Sequence, residues 1–212
     1  MPRLKPETQA ARRTSILDAA EKCFAASGFH ATSMQDICKT AGVSPGAVYG
    51  YFKSKEELIE GICERNRREF AERFAALDTA PDFLAALATL AEQYLIEEPR
   101  EKRVLCVEIG AEACRNATVA ELMRSIDELV DQSFRRLFER LKAQGRIPAE
   151  TDIDALMRIF TLLGDGLFWR QAVDSQFDAK QHLDAVISVI GSMIGPQAAV
   201  VDQSRHAPVG QD

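Results

Sequence analysis

Residues 29–58 read FHATSMQDICKTAGVSPGAVYGYFKSKEEL, and this stretch decides the fold. Met34, Ile37, Cys38 and Ala41 fall at i, i+3, i+4 and i+7, the spacing of one buried helical face, with Thr32 or Ser33 as the cap that opens it. Gly42 stops that helix. Only Gly42 and Val43 intervene before Ser44, a second cap. Pro45 is pre-set for the first position of the next helix, and Val48 and Phe52 stand four apart on its inner side. Two short apolar-striped helices joined through Ala41-Gly42-Val43-Ser44 make a helix-turn-helix. Glycine takes the backbone angle that other residues resist, and valine seals the angle between the helices.

The same periodicity extends in both directions. Upstream, Ile16, Ala20, Cys23, Phe24 and Ser27 form one stripe over 6–27, and Gly28 with Phe29 reads as a left-handed cap and its apolar contact. Downstream, Ser54 opens a fourth helix through a capping box with Glu57, running to about residue 77. Pro81 restarts a helix with Leu84, Leu87, Ala91, Tyr94 and Leu95 on its core side, closed by Glu98 and Pro99. Further helices are expected over roughly 101–115, over 117–143 before Gly145, from Asp152 onward, and over 178–194. Strand signals are nearly absent and no repeat of fixed period is visible. After Pro196 periodicity is lost, and 196–212 reads as a disordered tail. The expectation is an all-α chain of about nine helices. A three-helix helix-turn-helix domain occupies 1–55 and a helical body 56–195.

Composition narrows the class. The chain has 212 residues, 46% hydrophobic and 27% charged, an ordinary globular balance. No window approaches 18 uninterrupted apolar residues, and the start, MPRLKPETQAARR, lacks the apolar stretch of a secretory signal. Five cysteines, an odd number with no CxxC pair, point to a reducing compartment, so a cytoplasmic location is expected. The net charge of -6 is unevenly spread. Residues 1–55 carry eight Lys/Arg against four acids, or +4, and the rest hold 18 bases and 28 acids, or -10. A basic head on an acidic body is suited to meet a polyanion; the alternative is a solvated surface with chance clustering.

The stretch 29–58 resembles the DNA-binding signature of TetR-family transcriptional regulators. The residues that carry the likeness are Thr32, Ile37, the Ala41-Gly42-Val43-Ser44 turn, Gly46, Val48-Tyr49, Phe52, Ser54-Lys55 and Leu58. The resemblance implies a dimeric, ligand-responsive repressor that binds a palindromic operator and is released by a small-molecule inducer. It places Tyr49, Tyr51 and Lys55 on phosphates, with Thr32, Ser33 and the capped N-terminus of the fourth helix as further donors. With Val48 and Phe52 packing inward, Ser44, Pro45, Gly46, Ala47, Tyr49, Gly50 and Tyr51 are left toward the duplex. Gln35 and Lys39 are the polar side chains best placed for base edges, although Gln35 equally suits a capping box on Thr32. Tyr49 has packing between helices as its alternative role. Gly46 and Gly50 each cost about 1 kcal/mol of helicity relative to alanine. Small residues also read few bases, so backbone contacts and DNA shape are expected to dominate binding.

The body says less. Residues 155–169 are apolar almost all round, which requires cover on more than one side: a symmetric dimer, or a central helix buried in a monomer. Leu163, Gly164, Leu167, Ile187, Ile190 and Gly191 are the interface candidates. Family resemblance implies a small-molecule site in this body, for which Asn66, Phe70, Tyr94, Glu108, Met123, Asp127, Phe134, Phe160 and Trp169 are candidates. Glu108 either faces a cavity or joins Glu101, Glu112 and Arg115 on a solvated stripe. A cavity-facing Glu108 or Asp127 would select an apolar cation.

Three rivals remain. An enzyme is disfavoured, because the three histidines, His30, His182 and His206, sit in no metal-binding spacing and the phosphate-binding glycine loops are missing. No catalytic residue, cofactor or metal is expected. A thiol redox sensor would need a pair, and Cys106 and Cys114 lie about 12 Å apart on one helix against a limit of about 7 Å. A DNA binder without a ligand shares every feature of the head.

Overall fold

The structure, a computed structural model, describes residues 6–195; the expected tail at 196–212 lies outside the described residues. Among the described residues the chain is helical throughout: α1 (Pro6–Ala31), α2 (Met34–Ala41), α3 (Pro45–Tyr51), α4 (Lys55–Asp78), α5 (Phe83–Glu92), α6 (Arg100–Ala113), α7 (Ala117–Ala143), α8 (Ile153–Val173) and α9 (Ala179–Ile194). No described helix is long and apolar enough to cross a membrane.

Local chemistry sets most of these ends. Asp82, Asp152 and Asp178 precede α5, α8 and α9, and their carboxylates accept the N–H groups of Ala85, Ala155 and Lys180 at 3.0, 3.0 and 2.9 Å. Gly145, at φ 71°, ends α7, and the Arg146 N–H bonds back to the Leu141 carbonyl at 2.9 Å. One expected helix comes out differently. The run from Pro81 to Glu98 is α-helical only to Glu92, then widens into a π-helical turn over Gln93–Glu97. The side-chain spacing of QYLIE alone does not distinguish the two hydrogen-bond registers.

The chain forms two compact units interleaved along the sequence. The first comprises, among the described residues, 6–71, 98–130 and 168–177. Its core joins Ile16, Leu17 and Phe24 of α1 with Ile37 of α2 and with Val48 and Phe52 at α3. Leu58, Ile59 and Ile62 of α4, Leu105 and Ile109 of α6 and Val119 of α7 complete it. Three short helices bury too little surface alone, so this core extends past residue 55 rather than ending there. Arg65 of α4 adds polar ties to α1, 2.6 Å from both Asp18 and Glu21. The second unit takes residues 72–97, 131–167 and, among the described residues, 178–195. Its centre is aromatic: Phe134 lies 5.1 Å from Phe74 and 4.4 Å from Phe160, and Phe138 lies 5.6 Å from both Phe83 and Phe160, ring centre to ring centre.

Near its end α1 kinks at Gly28, whose φ of 78° and ψ of 165° belong to a region open essentially to glycine alone. The kink redirects Phe29 onto Phe24, 5.5 Å away ring to ring, and starts the path to α2. A Cβ at Gly28 would also stand 3.0 Å from Glu108 Oε2. Gly28→Ala is therefore expected to lower stability by about 1–3 kcal/mol, read as a lower urea midpoint at unchanged slope.

Candidate nucleic-acid interface

The helix-turn-helix is held by backbone caps at each joint. Ser33 Oγ accepts the Asp36 N–H at 3.2 Å and Asp36 Oδ2 accepts the Ser33 N–H at 2.9 Å, a reciprocal box that opens α2. The box is thus Ser33 with Asp36, not Thr32 with Gln35, and Gln35 is left exposed. Gly42 closes α2 in the left-handed region, with the Val43 N–H on the Cys38 carbonyl at 3.1 Å. Ser44 Oγ then accepts the Ala47 N–H at 3.3 Å, with Pro45 in the first turn of α3. Ile37, Cys38, Val48 and Phe52 are buried.

What remains outside is one continuous polar and small-residue edge. Ser33, Gln35, Lys39, Ser44, Pro45, Gly46 and Gly50 are exposed, and Tyr49, at 45% exposure, is not packed between helices. Nothing lies within 4 Å of a Cβ built on Gly46 or Gly50, so nothing in the described chain requires glycine there. Ala47 is half-buried, and Tyr51 packs partly against the core.

Three expected phosphate donors are otherwise engaged. Thr32 is 3% exposed, and its hydroxyl is directed to the backbone carbonyls of Gly28 and Cys23, at 2.8 and 3.1 Å. Lys55 turns its ammonium inward onto the carbonyls of Phe29 and Thr32, the latter at 2.9 Å, and over the Phe29 ring at 4.3 Å. Both residues therefore shape the corner between α1 and α2 instead of reaching outward. The N-terminus of α4 carries Glu56 and Glu57 in its first turn. Glu57 Oε2 takes the Lys53 N–H at 2.6 Å, and hydrogen bonding from its own backbone N–H holds the Glu56 carboxyl below the usual glutamate range. Two carboxylates there replace the phosphate that a bare helix end would attract. Spacing showed which residues were polar, but not that local carbonyls and acids had claimed them.

Residues 16–62 match the model of the bacterial regulatory proteins, tetR family, and residues 83–195 match the C-terminal model of BetI-type transcriptional repressors. The chain belongs to the tetR family. The regulator UidR of Escherichia coli K12 is 36% identical over 159 residues, covering 71% of this chain and 76% of that relative. Among solved structures, Salmonella enterica GusR superposes with a TM-score of 0.75 at 28% identity, over 90% of this chain and 97% of its own. FadR from Bacillus subtilis, solved in complex with stearoyl-CoA, shares the fold with a TM-score of 0.72 at 19% identity, over 86% and 99%. The protein is accordingly a helix-turn-helix transcription regulator and not an enzyme.

The body of this tetR-family chain rearranges the remaining expectations. Leu167 is buried and Ile190 is 1% exposed, so both face their own subunit's core. Gly191 lies against Leu84 of α5, whose Cδ1 is 3.1 Å from the position of an added Cβ. Leu163 and Ile187 are half-buried and Gly164 is exposed. The exposed apolar residues are instead Ile159, Leu162 (68%), Trp169 (55%) and Val173 of α8 and Val189 of α9. A helix apolar all round does not announce which side its own core takes.

Of the ligand candidates, Asp127 and Trp169 are exposed, and Met123 packs on the first unit's core. Phe134 and Phe160 belong to the aromatic centre of the second unit. Phe70 is buried, Asn66 is half-buried, and the half-buried Tyr94 lies in the π-helical turn beneath the Arg73 guanidinium at 4.8 Å. Glu108 is half-buried against Gly28, and the charged stripe expected beyond it is interrupted. Glu112 is buried, with Oε2 2.7 Å from His30 Nε2 and Oε1 accepting from Asn116 at 3.2 Å. His30 itself sits in the last turn of α1. The five cysteines are free. Burial pushes the Cys63 and Cys106 thiols up to about 11, which leaves little thiolate for redox chemistry at neutral pH.

Hydrogen bonds from the Ser33 side chain and backbone hold the Asp36 carboxyl below the ordinary aspartate value. A group so lowered contributes its stability above the unfolded pKa and loses it as pH falls through the folded one. Ser33→Ala is expected to lower the urea midpoint at neutral pH, with the gap to the parent closing under acid conditions; an unchanged gap would show that the cap is independent of the carboxylate.

Proposed function

We propose that the protein is a dimeric repressor that grips a palindromic operator with the outer edge of α2 and α3 and lets go when a small molecule occupies its helical body. The observation that carries the DNA half is the two-sidedness of α3. Val48 and the following Phe52 are buried, while Ser44, Pro45, Gly46, Tyr49 and Gly50 leave the N-terminal edge bare. A recognition helix requires that arrangement. Ser33, Ser44 and Tyr49 supply phosphate contacts, Gln35 and Lys39 reach base edges, and Pro45, Gly46 and Ala47 allow close backbone approach. Thr32 and Lys55 act one step back, by fixing the corner that aims α2.

Pairing rests on α8. Ile159, Leu162, Trp169 and Val173 recur at spacings of 3, 7 and 4, which keeps them on one side of a helix. A second copy of the same surface covers such a stripe isologously, and a two-fold dimer presents two heads to the two halves of a palindrome. Inducer control is supported by the family and by FadR, which holds stearoyl-CoA in its solved structure. If inducer and operator favour different states, linkage requires that operator weaken ligand binding by the same factor as ligand weakens operator binding.

Three measurements test this reading. Gly50→Ala is expected to raise thermal stability by about 0.5–1 kcal/mol through helix propensity while lowering operator affinity, because the added methyl points into open space where the duplex approaches. Gain on both counts would move the interface elsewhere. Tyr49→Ala is expected to weaken operator binding about 10-fold in fluorescence anisotropy without lowering stability. Leu162→Asp is expected to convert dimer to monomer in sedimentation velocity and to abolish tight operator binding with it.

A further inference from the structure

Among the described residues, two arginines of the first unit have a buried guanidinium nitrogen without a hydrogen-bond partner. Arg103 of α6 is only 8% exposed, donates to the backbone carbonyl of Glu98, and has its Nε buried with no hydrogen-bond partner among the described residues. Arg67 of α4 is half-buried, donates to Ser125 Oγ of α7, and has its own Nε in the same condition. Neither guanidinium is joined to a carboxylate among the described residues. Their neighbours are: Arg65 holds Asp18 and Glu21, and Lys102 holds Glu69 and Glu98. A buried lysine in this position could shed its proton; a guanidinium cannot, so it needs an anion.

Counting along the two helices brings the arginines to a common level. Lys102 meets Glu69 at 2.7 Å, and further along α6 Cys106 acts electrostatically on Cys63 of α4. Rising numbers on α6 therefore meet falling numbers on α4, and in that antiparallel register positions 103 and 67 fall one turn along from Cys106 and Cys63 on the same two faces. Asn66 is next in sequence, and its Oδ1 too is buried and unmatched. An amide turned over offers N–H groups in that place. Cys63, one turn from Arg67, is buried, and burial is the chief cause of the raised thiol values at Cys63 and Cys106.

We propose that Arg67 and Arg103, with Asn66 beside them, seat the carboxylate or phosphate group of a small organic anion, which makes an anion the chemical class of this regulator's ligand. This rests on the reading of the body as ligand-binding. It reverses the sign expected from Glu108 and Asp127, because the first presses on Gly28 and the second is exposed. Planar guanidinium forks match the geometry of an oxyanion, and charge-assisted hydrogen bonds are strongest where water is excluded.

The test uses the full-length protein and three probes of one shape and different charge: octanoate, octanamide and octylammonium, each titrated calorimetrically. Octanoate is expected to bind about 10-fold or more tightly than either of the others. Arg103→Gln and Arg67→Gln are expected to erase that preference, and Arg103→Lys to keep part of it, with far-UV circular dichroism showing that each variant is folded. Octanoate binding no better than octanamide, or not at all, overturns the seat, as does a preference that survives both glutamine variants. Inorganic phosphate displacing octanoate competitively supports the shared oxyanion chemistry. Operator release is followed separately by anisotropy. Octanoate that binds through the arginines yet leaves the operator complex intact keeps the seat and removes the induction reading. A neutral or cationic compound that releases operator while octanoate fails to bind does the reverse.

Discussion

Burial of Ile37, Val48 and Phe52 in a core that α1 shares with α4, α6 and α7 is the interaction on which the rest depends. α2 and α3 have 8 and 7 residues, well below the length at which a helix holds together in water. Their persistence comes from this core and from their caps. Because one side of each is committed inward, the other side is fixed in direction. A surface that reads a duplex needs that fixed direction more than it needs strong side chains, and α3 offers mostly serine, proline, glycine and tyrosine.

Much of this was legible in the sequence, for a physical reason. The spacing of Met34, Ile37, Cys38 and Ala41, the glycine at 42 and the Ser44-Pro45 pair are local signals, and local signals fix short helices. Helix ends at Asp152, Asp178 and Gly145 were readable on the same grounds. What was not legible depends on partners distant in sequence. Nothing around Lys55 reveals that its ammonium closes on the carbonyls of Phe29 and Thr32. Likewise Glu112 looks like a surface acid until His30 and Asn116 are seen to hold it. The core side of α8 could not be chosen, since an all-round apolar helix has no preferred azimuth. Charge is similar: acids are easy to pick out along α6 and α7, whereas an arginine lacking a counter-charge is visible only when its surroundings are known.

The body thus combines two kinds of incompleteness. One is apolar and lies on the outside, along α8. The other is ionic and lies inside, at Arg67 and Arg103. Each is a cost to an isolated chain, and under the reading proposed above a second copy would relieve the first and an anionic solute the second.

The grip of Lys55 on the corner between α1 and α2 has a mechanical meaning. Lysine 55 is the first residue of α4, a rod of 24 residues, about 36 Å long at 1.5 Å per residue. Its ammonium pins that rod's tip to the joint from which α2 departs. Whatever holds the first turn of α4 therefore also holds the angle at which α2 departs, and the two cannot be set independently.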